Sequence, residues 1–184
     1  MMNTDTETQL FALYQRYVSL WQSTHSSLPT QSFDPEWISP CQLDETTDGM
    51  ITWKPIKRNS PVSLNNIEQA LDITLHPSIA ELFCCAYSDH LSCDFEGHLI
   101  ELVQVWNETD FTMLQENMIA HFMMQKRLKQ PASMFIATCS DEMQVISILN
   151  ETGQVQLETL GKRQETILAE SLAEFLSKLT PVLS

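Results

Sequence analysis

Apolar residues recur along this chain with two periods, and the switches between them outline helices alternating with short strands. Leu10, Leu13, Tyr14, Tyr17 and Leu20 follow i, i+3, i+4 spacing and predict an amphipathic helix over residues 5–22, whose apolar stripe needs a core to cover it. Residues 29–40 (PTQSFDPEWISP) hold three prolines and read as an extended connection. After the Asp48-Gly49 turn, residues 50–54 (MITWK) predict a short strand and Asn65 to Leu71 a short helix. His76-Pro77 then opens a further helix, with proline at the tolerated first position.

Leu91 to Phe95 and Leu99 to Val103, separated by Glu96-Gly97-His98, predict a β-hairpin with Gly97 in the turn. Residues 109–128 give the strongest helical pattern, apolar at Phe111, Leu114, Met118 and Phe122, and Pro131 stops it. Three short strands are expected at 134–138, 144–149 and 154–160, with turns at Ser140-Asp141-Glu142 and Glu151-Thr152-Gly153. A last helix is expected from about Ile167 to Leu179, bounded by Pro181. Helices at both ends with hairpins between them imply an α+β fold: a central antiparallel or mixed sheet flanked by helices, in one domain over residues 1–184.

Composition narrows the class. Apolar residues make up 43% and charged residues 18%, too apolar for a disordered chain. The opening residues MMNTDTETQL lack a basic, apolar export pattern, and no run approaches the roughly 20 apolar residues of a membrane-spanning helix. The expectation is therefore a soluble protein on the synthesis side of the membrane. Cys41, Cys84, Cys85, Cys93 and Cys139, odd in number and without a CxxC pair, read as reduced and mostly buried thiols.

Catalytic signatures are sparse. Gly49, Gly97, Gly153 and Gly161 stand singly, so neither GxGxxG nor a Walker loop can form, and there is no G-x-S-x-G elbow. His76, Cys84, Cys85, His90, Cys93 and His98 are near one another in sequence but match no common zinc spacing, and buried thiols with surface imidazoles account for them better. Asp94 and Glu96 would share a strand face if the strand runs that far, imitating a paired-carboxylate acid/base site, although a solvated face is the simpler account. His121, beside the apolar stripe of its helix, reads as a core-edge histidine. No catalytic residue, metal or cofactor is expected.

Charge is the abnormal quantity: 24 Asp and Glu against 10 Lys and Arg give a formal net of −14. Such a chain repels nucleic acid phosphates and anionic lipid and attracts basic proteins. From Asn59 through Gln125 there are ten acidic residues and no Lys or Arg. Glu108 and Asp110 suit the first turn of a helix, and Lys126 and Arg127 suit its far end. No such local reason covers Asp89, Asp94, Glu96 and Glu101 around the hairpin, where solvation and partner binding both remain open.

Residues 106–138 (WNETDFTMLQENMIAHFMMQKRLKQPASMFIAT) resemble the signature region of the Syd family of SecY-interacting proteins. The likeness rests on Gln115-Glu116-Asn117, Gln125-Lys126-Arg127-Leu128-Lys129 and Phe135-Ile136-Ala137-Thr138. Further likeness appears at Ser39-Pro40-Cys41, at Trp53 with Pro55, at Glu158-Thr159-Leu160-Gly161 and at Leu172 through Leu176, so it spans essentially the whole chain. The resemblance implies a fold of the Smi1/Knr4-like (SUKH) kind and a bacterial cytoplasmic protein held peripherally at the cytoplasmic side of the inner membrane. It also implies binding to cytoplasmic loops of SecY through an acidic concave surface, regulation of translocase assembly, and no enzymatic activity. Cytoplasmic loops of membrane proteins are rich in Lys and Arg, which independently suits a −14 partner that does not insert into lipid. The candidate contact residues are Asp89, Asp94, Glu96, Glu101, Glu108, Asp110 and Glu116, with hydrophobic contacts completing the interface. The rival reading is an immunity or adaptor module of related fold that binds another basic protein, such as a nuclease toxin.

Overall fold

A computed structural model describes residues 5–162 and 165–183. Helix α1, Thr6–His25, buries Leu10, Leu13, Tyr14 and Tyr17 as its spacing requires and ends where Ser26 turns left-handed and returns its N–H to the Gln22 carbonyl. Residues 29–40 are more than a connection. Thr30–Ser32 (β1) pairs with Met50–Trp53 (β3), which also pairs with Gln42–Glu45 (β2), giving a three-stranded antiparallel sheet. Ile56–Lys57 (β4) pairs with Ala86–Tyr87 (β5), and between them lie α2, Asn65–Leu71, and α3, Pro77–Cys84. His76 caps α3 by accepting from the Ser78 N–H.

The main sheet has seven antiparallel strands in the order β11-β10-β9-β8-β7-β6-β12. They are Leu91–Phe95 (β6), His98–Leu102 (β7), Ser133–Cys139 (β8), Gln144–Leu149 (β9), Val155–Thr159 (β10), Glu165–Ala169 (β11) and Thr180–Pro181 (β12). The two long connections are α4, Glu108–Arg127, and α5, Leu172–Lys178.

Each face of this sheet has its own cover. Leu91, Cys93, Phe95, Ile100 and Leu102 are buried on one face, where the Phe95 ring meets Phe175 of α5 at 5.0 Å. Arg16 of α1 donates to the Leu176 and Leu179 carbonyls and so ties α1 to α5. On the other face α4 covers one end: His121 meets the Phe135 ring edge-on at 5.6 Å, and Gln125 exchanges hydrogen bonds with Ser133.

A bulge in β8 sets which residues share that second face. Phe135 pairs with Ser147 and Thr138 with Val145, although Phe135 and Thr138 are three positions apart and Val145 and Ser147 only two. The extra residue in β8 returns Thr138 to the face that carries Phe135.

The expected helix over residues 167–179 is corrected by the structure. Residues 165–169 form β11 along β10, and α5 begins only at Leu172. The reason is a cap: the Ser171 hydroxyl accepts from the Glu174 N–H while the Glu174 carboxylate accepts from the Glu170 N–H, which fixes the helix start. Pro181 ends nothing; it lies in edge strand β12 opposite Cys93, where a missing N–H is tolerated.

Candidate docking face

The β6–β7 hairpin turns on Glu96 and Gly97, with φ of 51° and 88°. Positive φ at both central residues is the type I′ geometry that matches strand twist. Glu96 therefore leaves the strand, and the strand face that Asp94 and Glu96 were expected to share does not form. Asp94 stays on β6, where its Oδ1 accepts from the Gly97 N–H, and Glu96 lies near Lys178 of α5. A paired-carboxylate acid/base site is not assembled there.

Directly paired residues in a sheet point to the same side, so the register defines a row across the face that α4 only partly covers. That row runs Ser92, Glu101, Thr138, Val145, Glu158, Glu165. Asp94, paired with Leu99 and Thr180, occupies the same face one pleat away, about 7 Å diagonally from Glu101. Leu99 at 53% exposure and Ile167 at 45% add uncovered apolar surface to this carboxylate-bearing face.

Asp89 and Asp110 join Glu101 at one end of the row. Burial raises the Asp89 carboxyl above its ordinary pKa; the His90 N–H and ring oppose this, and Glu101 and Asp110 push further upward. Asp89 and Asp110 line a small cleft of about 170 Å³ with His90, Gln104, Trp37 and Trp106. Asp110 is held by the Trp106 N–H, and the Asn107 side chain caps the helix it belongs to.

Glu108 and Glu116 stand apart from this group. Glu108 is paired with Arg58 and accepts from the Tyr87 hydroxyl, and the hydroxyl first, then the guanidinium, lowers its pKa. Arg58 lies just before the cation-free segment, stacked between the rings of Tyr87 at 4.2 Å and Phe111 at 4.6 Å. Part of the expected uncompensated charge is thus neutralised. Glu116 is exposed, two residues from both Leu114 and Met118 on the buried stripe of α4, and so projects from the opposite side of the helix.

Glu158 and Glu165 belong to the face and were not anticipated. The alternation in QVQLET places Gln156 and Glu158 on one side of a strand, which is the signal that could have found them. All five cysteines are free, and burial pushes Cys41 and Cys84 up to about 11 and Cys85 and Cys93 up to about 12, leaving protonated thiols at neutral pH. Among the described residues no cluster of three or more His, Cys, Asp or Glu could hold a metal ion, and no helix is long and apolar enough to cross a membrane.

The family model described as Syd protein (SUKH-2) matches residues 7–181. A protein Syd of Psychromonas ingrahamii is 62% identical over 182 residues, covering 99% of both chains. A protein Syd of Aliivibrio fischeri is 41% identical over 183 residues, covering 100% of both, and one of Yersinia pestis is 40% identical over 182 residues, covering 99% of both.

Proposed function

The chain belongs to the Syd (SUKH-2) family, and from that premise we propose that it is a binding protein whose α4-facing sheet surface docks on the basic cytoplasmic loops of SecY. In this reading it carries out no catalysis and attaches to the inner membrane peripherally, through that protein contact. The observation that carries the reading is the row holding Glu101, Glu158 and Glu165 on one sheet face, with Asp94 beside it. Paired strands lie about 4.8 Å apart, so the row presents negative charge over roughly 20 Å, a span suited to an extended basic segment. Leu99 and Ile167 supply apolar contact on the same surface.

Electrostatic complementarity of this kind raises the rate of encounter and fixes orientation more than it adds affinity. The test is capture of detergent-solubilised SecY by the wild type and by an Asp94→Asn/Glu101→Gln/Glu165→Gln variant, at low and high salt. Capture that weakens with salt and is lost in the folded variant supports the reading, and undiminished capture by the variant overturns it. Glu116→Gln, changing a carboxylate directed away from the face, is the matched control and keeps capture.

A further inference from the structure

The far end of α4 carries a surface that the proposed docking row does not use. Met123, Met124 and Leu128 are 57%, 51% and 54% exposed, and Leu160, just past β10, is 51% exposed. Among them stand Lys126, Arg127, Lys129 and Lys162, all exposed. Four of the chain's ten Lys and Arg thus gather around one helix end, in a protein of net charge −14.

Local folding explains only part of this. Lys126 and Arg127 complement the helix dipole, but Lys129 and Lys162 lie outside α4, and the exposed apolar side chains have no such reason. Met123, Met124, Lys126 and Arg127 project opposite the stripe of Leu114, Met118, Phe122 and Gln125 that α4 buries. Because α4 rests on the sheet face that carries the row, they point out on the same side of the molecule as Glu101. Two hollows flank this ridge. One of about 1050 Å³, between α2 and α4, is lined by Leu71, Ile73, Phe122, Met123 and Met124. The other, about 390 Å³ between α4 and β10, is lined by Met124, Lys129, Leu160 and Lys162.

The positive charge of the patch is not neutralised at contact distance. Among the described residues the ion pairs are Lys57 with Glu7, Arg58 with Glu108 and Lys178 with Glu174, and none involves these four cations. Asp72 lines the wider hollow, and Glu158 and Glu165 the narrower one. Glu158 is turned inward, where it accepts from Ser133 and Gln156. Glu116, the nearest carboxylate along α4, lies seven residues before Met123, about 10 Å at helical rise. Charges are screened over roughly 8 Å at physiological salt, so the cations set the field that a surface meets here, whatever the total.

We propose that this end of α4 rests on the headgroups of anionic phospholipid. Met123, Met124 and Leu128 enter the interface, and Lys126, Arg127 and Lys129 meet the lipid phosphates. The proposal rests on the docking reading, which brings this side of the protein to a membrane, and adds a lipid contact to the protein contact. A patch this short holds lipid only marginally by itself. Joined to a second contact on the same membrane, it acts at high effective concentration.

Co-sedimentation of the full chain with vesicles at physiological salt tests the contact, comparing phosphatidylglycerol and phosphatidylcholine in equal parts with phosphatidylcholine alone. The wild type is expected to sediment with the anionic vesicles and not with the neutral ones. Lys126→Gln/Arg127→Gln/Lys129→Gln and, separately, Met123→Gln/Met124→Gln/Leu128→Gln bind about tenfold more weakly or worse. Lys54→Gln/Lys57→Gln/Lys178→Gln makes the same change in net charge at other exposed positions and binds as the wild type does. Detergent-solubilised SecY, a partner without a bilayer, is captured undiminished by both patch variants. A wild type that ignores anionic vesicles, binds neutral ones equally well, or weakens as much in the control variant overturns the lipid contact and leaves the docking reading standing. Loss of SecY capture in detergent by the patch variants assigns the surface to a protein contact and overturns the lipid contact too. Capture insensitive to salt and to Asp94→Asn/Glu101→Gln/Glu165→Gln sinks the docking reading, while the vesicles still decide the patch.

Discussion

Glu101 on β7 and Glu158 on β10 stand in one cross-strand row, joined by the paired residues Thr138 and Val145. Three strand spacings separate them, about 14 Å, and the positions between carry no charge. A cation introduced there enters a surface that is acidic on both sides. Thr138→Lys sits directly opposite Glu101 and is exposed, so its ammonium reaches solvent and the carboxylate together. Opposite charges paired across strands contribute roughly 0.2–1 kcal/mol. The variant is expected to unfold at slightly higher urea while capturing less SecY, opposite signs from one substitution. A variant with unchanged capture contradicts the role given to the row.

The pairing of Arg58 with Glu108 predicts an asymmetry. The Arg58 side chain is 4% exposed and that of Glu108 64%, so the carboxylate can hydrate without its partner and the guanidinium cannot. Nε and Nη2 of Arg58 are also buried without partners. Glu108→Gln strands a buried cation and is expected to cost about 2 kcal/mol, reduced from the value for a fully buried pair because Glu108 faces water. Arg58→Met removes the charge, keeps much of the volume between Tyr87 and Phe111, and should cost less. Urea denaturation of the two variants checks the order, and a larger loss in Arg58→Met rejects it.

Local pattern carried much of this fold. The short helix at Asn65 to Leu71 and the strand at 144–149 coincide with α2 and β9, and the long helix over 109–128 lies within one residue of α4 at each end. These segments are set by their own periodicity and capping. The start of the last helix differs from its sequence pattern because the apolar residues Ile167, Leu168 and Ala169 lie shortly before Leu172, and only the Ser171-Glu174 cap marks the true start. The docking row was illegible for a different reason. Glu158 reaches the face of Glu101 through three strand registers and a bulge between Phe135 and Ala137, and no short window of sequence contains that information. Arg58 was overlooked for a related reason: its partner Glu108 lies fifty residues along the chain.

Gly153 and Gly161 share a φ of +76° yet differ in surroundings. A Cβ at Gly153 would lie 2.3 Å from the His76 ring, while one at Gly161 meets nothing within 4 Å. The left-handed backbone alone costs a non-glycine residue about 1 kcal/mol. Gly161→Ala should show that cost only. Gly153→Ala must also displace the ring that caps α3, raising the loss to about 2–3 kcal/mol. Equal midpoints for the two alanine variants in urea would remove the close approach as an explanation.

Asp89 predicts a pH dependence of defined sign. Its carboxyl is raised, first by burial and then by Glu101 and Asp110, so the charged form is disfavoured in the folded state. For an acid with a raised folded pKa, the penalty is absent below the unfolded value near 3.8, grows as pH rises toward the folded value, and is complete above it. Asp89→Asn removes that penalty, and the Asn Oδ1 can still accept from the His90 N–H that Asp89 now holds. The variant should therefore be more stable than the wild type at pH 7, with the difference shrinking as pH falls toward 4. A basic partner relieves the same strain by compensating the carboxylates, so Asp89→Asn should weaken SecY capture at pH 7 even as it stabilises the free protein. Stability curves with and without the substitution that run parallel from pH 4 to pH 7 would show that Asp89 is not strained.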